Sequence, residues 1–175
     1  MKTKHKIIFA VAGLMALASW IIAIYYWSKL PAVIPTHFGI SGAADGWADK
    51  SIFSVFLLPA LNTVMLAMFI FLYHKPQYSD MPTTMWLTTL DDKQKDHAFS
   101  LIRSMMAGMS IWIGVLFLYI TYGSNVSAID SGYKLSTWFM LVLIGAMLIW
   151  LAFWAIKVYR TTKEAVAVMN KKRKK

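Results

Sequence analysis

The sequence contains no cysteine, and only 15% of its 175 residues carry a formal charge. The absence of cysteine excludes disulfide bonds, thiolate metal ligands and cysteine nucleophiles. The scarcity of charge, beside a hydrophobic content of 58%, excludes an ordinary water-soluble domain of this size. The chain is therefore expected to have lipid as its main solvent.

Asp, Glu, Lys, Arg and His are missing altogether from four long apolar runs, which cover residues 7–27, 52–73, 105–122 and 135–156. Each run is long enough to cross about 30 Å of hydrocarbon as a helix that rises about 1.5 Å per residue. Only a helix satisfies all its backbone polar groups within one such segment. We therefore predict an all-α integral membrane protein, a single domain over residues 1–175 built as a four-transmembrane-helix bundle. The lack of charge at depth argues against an ion-coupled pump.

The basic residues indicate which way the bundle faces. Of the 18 Lys and Arg residues, 15 precede the first run, join the second to the third, or follow the fourth. The positive-inside rule places those segments in the cytoplasm. We therefore predict a protein of the cell (cytoplasmic) membrane with both termini cytoplasmic, a cytoplasmic loop over 74–104, a basic tail over 157–175, and an outer loop over 28–51.

The basic tail also predicts partners. Basic residues beside a membrane attract anionic lipid at about 1 kcal/mol each. A nucleic-acid surface would need a folded basic patch with stacking aromatic groups, which a short tail joined to a membrane span does not supply. The predicted partners are therefore the lipid bilayer and its anionic lipids, and nucleic acid is not among them.

The cytoplasmic loop ends in a predicted amphipathic helix. Pro76 and Pro82 break any earlier helix. Thr89, followed three residues later by Asp92, is typical of a helix start, and an amphipathic segment from Leu90 leads into the third run.

The outer loop is rich in proline, glycine and chemically reactive side chains. Pro31 and Pro35 favour extended backbone and must end the first helix. Asp45-Gly46 is a strong tight-turn signal, and Asp49 or Ser51 is suited to cap the second helix. The loop is therefore predicted to be a shaped structure on the end of the bundle.

Several roles are open to the polar residues of that loop. Asp45 can pair with Lys50 or His37 and hold the loop shut, or His37 can contact a ligand. A hydrolase would use Ser41 as nucleophile with His37 and Asp45, and a metal site would need Asp130 from the other outer loop. Neither set is complete in the local sequence, so we predict no cofactor, no metal and no enzymatic activity.

The apolar runs contain a few polar residues, of which Asn62, Thr63 and Ser110 are the candidates for a role inside the membrane. Asn62 is expected to hydrogen-bond a neighbouring helix, near a kink at Pro59; the alternative is that it lines a transport path with Ser110. Small residues four apart in the third run, Ser104 with Gly108 and Ser110 with Gly114, favour close packing within the bundle or a homodimer.

The loop resembles the membrane family called domain of unknown function 1648, on the strength of Leu30-Pro31, Ile34-Pro35, His37-Phe38, Gly42, Asp45-Gly46 and Lys50. That domain opens many proteins of the SdpI type, which confer immunity to a secreted toxin and can signal its presence. The resemblance implies that the outer face meets an antimicrobial peptide and that the cytoplasmic face reports to a regulator. The motif positions it carries over are Pro31, Pro35, His37, Gly42, Asp45, Gly46 and Lys50, none of them as a catalyst. Alternatives are a small transporter or permease component, and a membrane-embedded metal-binding protein or enzyme.

Overall fold

A computed structural model describes residues 1–79 and 91–173 of the chain, and within those residues it contains four long helices. They are α1 (Thr3–Trp27), α2 (Ile52–His74), α3 (Asp92–Ile129) and α4 (Thr137–Arg173). All four are long and apolar enough to cross a membrane. The four helical spans predicted from the apolar runs are therefore confirmed, and the protein is a multi-pass membrane protein.

Helices α3 and α4 extend beyond the predicted spans, since α3 begins at Asp92 and ends at Ile129 and α4 continues to Arg173. Residues 92–104, where the sequence predicts an amphipathic helix leading into the third run, form the first turns of α3, and the predicted tail is helical up to Arg173. Asp91 caps α3, because its carboxylate accepts a hydrogen bond from the Gln94 backbone N–H while Gln94 Oε1 accepts one from the Asp91 backbone N–H. Thr89 and Leu90 lie outside the described residues.

The all-α prediction is wrong in one place, between α1 and α2. There the chain forms an antiparallel hairpin of β1 (Val33–Phe38) and β2 (Ala44–Asp49). Ser51 then caps α2 by accepting a hydrogen bond from the Ser54 backbone, so of the two predicted caps Ser51 is the one used.

Helix α3 is the centre of the bundle, since it packs against α1, α2, α4 and β1. The main core lies towards the end of the bundle where α1 begins and α2 ends. Its buried residues are Phe9, Phe69, Tyr73, Leu101, Ile102, Met105, Met106, Ala107, Met109 and Val158. Val158 belongs to the extension of α4, so the amphipathic start of α3 is covered partly by α4.

The small residues of α3 are used for packing within the bundle. A Cβ on Gly108 would overlap the indole of Trp150 in α4, and a Cβ on Gly114 would lie 3.1 Å from the sulfur of Met15 in α1. The small residues of α3 therefore allow close contact between helices of one chain. This is the first of the two predicted uses, packing within the bundle rather than a homodimer.

Helix α4 is the least covered of the four. Val158 and Thr162 are buried, whereas Trp138, Val142 and Ile149 are largely exposed. Such a helix is stable in lipid, because lipid solvates its apolar side chains and the helix pairs its own backbone groups.

Candidate functional site

The candidate site is the hairpin with the helix ends that hold it, which we call the hairpin end. Its turn runs from Gly39 to Ala43, where Gly39 N–H donates to Ala43 O and Gly42 N–H donates to Gly39 O, both at 2.9 Å. Gly42 has a φ of 76°, which glycine adopts without strain. The predicted turn at Asp45-Gly46 is therefore wrong, because both residues lie within β2.

The strands bring His37 and Asp45 together. His37 Nδ1 lies 2.5 Å from Asp45 Oδ1, so Asp45 pairs with His37 and not with Lys50. Their side chains are 73% and 51% exposed, and even a full ion pair with that exposure is worth only about 0–1 kcal/mol of stability. An ionised carboxylate only accepts, so Nδ1 carries the proton and Nε2 is the ring nitrogen left for another partner.

Two glycines make room for this pair. Gly46 lies opposite His37, where an added Cβ would come within 2.8 Å of the His37 Cβ. A Cβ on Gly39 would come within 2.7 Å of Asp45 Oδ2. Side chains at these two positions would push the imidazole and the carboxylate apart.

Lys50 closes the base of the hairpin. Its Nζ donates to Leu30 O at 3.1 Å, its backbone N–H donates to Ala32 O at 2.7 Å, and the ammonium lies 5.0 Å from the centre of the Trp27 ring. Leu30 follows the end of α1, where the helix dipole favours a cation. Pro31 is exposed in this connection, and Asp49 is an exposed residue opposite Val33.

The tip and middle of the hairpin are held by α3 and by residues around the start of α4. Leu135 N–H donates to Gly42 O at 2.9 Å, and the Thr137 hydroxyl donates to Ile40 O at 2.7 Å. The Ser124 hydroxyl of α3 donates to the carbonyl of Pro35, a buried residue of β1, at 3.2 Å. The hairpin is thus fixed along its whole length.

Position 42 combines two requirements. Besides its positive φ, Gly42 is pressed so closely against Leu135 that a Cβ there would overlap the Leu135 carbonyl.

The nearby Tyr133 is partly buried. Burial, with Tyr119 and Tyr122 beside it, raises the pKa of its phenol, which stays neutral at physiological pH.

A groove of about 340 Å³ opens beneath the hairpin, between β1, α2 and α3. It is lined mainly by apolar side chains, with Pro35 and Phe38 on the strand, Phe53 and Leu57 on α2, and Ile120 on α3. Such a groove suits an apolar group and offers few polar partners.

The complete sets for hydrolysis or metal binding are not assembled at the hairpin end. Ser41 Oγ accepts a hydrogen bond from Ala43 N–H at 3.4 Å within the turn, and Asp130 accepts one from Gly132 N–H at 2.9 Å in its own turn. Among residues 1–79 and 91–173, no group of three His, Cys, Asp or Glu side chains is placed to hold a metal ion.

The polar residues inside the helices are engaged with their surroundings. As predicted, buried Asn62 reaches a neighbouring helix, since its Nδ2 donates to Ser19 Oγ of α1 at 3.2 Å. Thr63 accepts a hydrogen bond from Trp20 Nε1 and donates to Pro59 O. Ser110 donates to Ala107 O at 2.7 Å, within α3.

Sequence reasoning missed a second polar cluster at the opposite end of the bundle. His5 is buried and lies with Nδ1 3.0 Å from Tyr73 Oη and Nε2 3.4 Å from Ser104 Oγ, which joins α1, α2 and α3. The available signal was a lone histidine just before the first apolar run and a tyrosine at the end of the second.

The fold and the site define a multi-pass membrane protein with a β-hairpin fixed on the end of a four-helix bundle. Residues 14–63, from the middle of α1 through the hairpin into α2, match the family model described as Domain of unknown function (DUF1648), which confirms the predicted resemblance. No curated protein and no solved structure is significantly similar to the chain.

Proposed function

We propose that the chain is an SdpI-like immunity or sensing protein of the cell membrane, in which the hairpin end recognises an extracellular antimicrobial peptide. The match over residues 14–63 and the four membrane-spanning helices support this proposal. In it the protein is not an enzyme, and its recognition residues are those of the hairpin.

The proposal rests on one observation, the exposed His37–Asp45 pair on a hairpin that is fixed in place. The hairpin is fixed at its base by Lys50 and at its tip by Leu135, yet the His37–Asp45 pair that it carries is exposed. An exposed pair adds little stability, so this geometry is best explained by contact with another molecule. A fixed support lowers the entropic cost of that contact.

The groove beneath the hairpin supports an amphipathic peptide as the ligand. Pro35, Phe38 and Phe53 offer an apolar slot a short distance along β1 from His37. An amphipathic peptide can insert one apolar side chain there and direct a polar group to the His37–Asp45 pair, an apolar anchor with a polar rim. Antimicrobial peptides that act on membranes have this amphipathic character.

The distribution of basic residues sets the proposed orientation. The hairpin end carries few Lys or Arg residues, whereas the opposite end carries the starts of α1 and α3 and the basic extension of α4. By the positive-inside rule the hairpin faces outward and both termini face the cytoplasm. There the basic extension meets anionic lipid and is available to a regulator.

The test is a survival assay in a host that is sensitive to a panel of secreted bacterial peptides. Expression of the wild type should raise the minimum inhibitory concentration of at least one peptide. His37→Gln and Asp45→Asn should lower that protection about tenfold, because each removes a charge-assisted hydrogen bond. His97→Gln and Asp92→Asn make the same chemical changes at exposed sites on the opposite end and should protect like the wild type.

Membrane levels of every variant are measured in parallel, so that a loss of protein is separated from a loss of recognition. The proposal is overturned if the wild type protects against no peptide in the panel. It is equally overturned if His37→Gln and Asp45→Asn protect as well as their matched controls.

A further inference from the structure

A second cavity of about 320 Å³ lies at the end of the bundle opposite the hairpin. The residues that line it include Lys2, His5, Tyr73, His74, Ser100 and Arg103. They come from the start of α1, the end of α2 and the first part of α3, and we call this cavity the basic pocket. Among the described residues its lining contains no carboxylate.

The floor of the basic pocket is formed by two buried side chains, His5 and Tyr73. His5 and Tyr73 are 3% and 4% exposed, and both ring nitrogens of His5 lie within hydrogen-bonding distance of hydroxyl groups, those of Tyr73 and Ser104. The His5 ring is therefore fixed in place.

The rim supplies hydrogen-bond donors. Arg103 Nε donates to Tyr73 O at 3.3 Å, and Lys2 Nζ donates to Ser100 Oγ at 3.5 Å. Arg103 thereby covers a carbonyl at the end of α2, where the helix dipole would otherwise repel an anion. A guanidinium has five N–H donors and this contact uses one of them.

The depth of the basic pocket in the membrane indicates which ligands can reach it. It lies where the apolar run of α1 begins at Ile7 and where α2 ends at His74, so we expect it at the level of the membrane–water interface. Phospholipid head groups occupy that level.

We propose that the basic pocket binds a phosphate group, carried either by the head group of an anionic phospholipid or by a soluble phosphate. Arg103 and Lys2 supply the charge, His74 and Ser100 supply further donors, and the His5–Tyr73 floor keeps the wall in place. Arginine and lysine side chains with a hydroxyl group are the donors that protein phosphate sites use.

The experiment measures ligand binding to the purified full chain in neutral detergent, at about 0.15 M salt to screen distant charges. The probes are inorganic phosphate, dihexanoyl phosphatidate and, as the zwitterionic comparison, dihexanoyl phosphatidylcholine. The wild type should bind phosphatidate more tightly than phosphatidylcholine. Inorganic phosphate that binds equally well identifies a soluble ligand, whereas binding of phosphatidate alone identifies a lipid.

Two variants address the pocket and one controls for net charge. Arg103→Gln, and separately Lys2→Gln with His74→Gln, should weaken binding about tenfold or more, because each variant removes one positive charge and its hydrogen-bond donors. The second variant leaves the Arg103–Tyr73 contact intact, in case Arg103→Gln fails to fold. Lys4→Gln with Lys6→Gln removes two positive charges from exposed positions of α1 outside the pocket and should change binding less than threefold.

Equal weakening by the pocket variants and the Lys4 and Lys6 control would overturn the proposal, because surface charge alone would then explain the binding. Failure of both phosphate and phosphatidate to bind the wild type would also overturn it.

Discussion

Individual small residues decide how closely the parts of this molecule approach one another. Gly42 brings the hairpin tip against Leu135, Gly46 admits the His37 side chain, and Gly108 admits the Trp150 indole. In each case the neighbour lies where a Cβ would stand. The glycines at positions 42 and 46 are therefore required by contacts, which is a physical reason for their presence in the motif.

Gly42→Ala should destabilise the folded protein by about 1–3 kcal/mol, because the methyl group meets both a positive φ and the Leu135 backbone. Thermal unfolding in detergent measures the change. Gly13→Ala is the control, since nothing lies within 4 Å of a Cβ there, and alanine in a helix should be neutral or stabilising by about 0.5–1 kcal/mol. Equal effects of the two substitutions would contradict the packing explanation.

The hairpin is the element on which the candidate site depends, and it is held from both sides. Lys50 secures its base to the end of α1, while Leu135 and Thr137 secure its tip to the start of α4. A two-stranded hairpin alone is marginally stable in water, so these attachments account for its order.

Lys50→Met should loosen the base of the hairpin while the helices remain intact. The substitution removes a charged hydrogen bond worth about 1.5–3 kcal/mol, so exchange of the strand amide protons should accelerate about tenfold or more. Hydrogen exchange followed by mass spectrometry resolves the hairpin from the helices. Lys134→Met, an exposed lysine at the same end, should leave exchange unchanged; acceleration by both substitutions would contradict a specific role for Lys50.

The sequence predicts the helices of this protein better than its hairpin. Uninterrupted apolar runs are a direct physical requirement of crossing a bilayer, and each run is found in a helix. The charged ends of α3 and α4 lack that signal, because their helices are stabilised by contacts such as buried Val158 against α3. The strands lack regular alternation and contain Pro35 and Gly46, which are poor strand formers.

The sequence singles out residues that the structure brings to the hairpin end, but it does not determine how they are arranged there. His37, Asp45 and Lys50 are all at the hairpin end, but the partner of Asp45 was left open between His37 and Lys50. The register of the strands decides this, and it depends on contacts with Leu135 and Ser124, about 90 residues further along the chain. Local spacing contains no information about such distant partners.

The whole molecule has two chemically different ends. One carries the fixed hairpin with its apolar groove, and the other carries the basic pocket and the basic extension of α4. The orientation of these ends in the membrane determines which of them an extracellular peptide can reach.

Single-cysteine labelling should establish that orientation, and the chain has no native cysteine to interfere. Ser41→Cys at the exposed hairpin turn should react with a membrane-impermeant maleimide in intact cells. Gln77→Cys, exposed at the opposite end, should react only after the membrane is disrupted, because the positive-inside rule places it in the cytoplasm. The reverse pattern would contradict the outward-facing hairpin and with it the proposed recognition of an external peptide.

Helix α3 contributes to both ends of the molecule, because Ser124 hydrogen-bonds the hairpin and Arg103 lines the basic pocket. Those two residues are separated by 21 positions of one uninterrupted helix, or about 30 Å along its axis. A continuous helix is stiff over that distance. A tilt of α3 caused by movement of the hairpin at Ser124 is therefore expected to displace Arg103 as well. One continuous helix therefore connects the two surfaces.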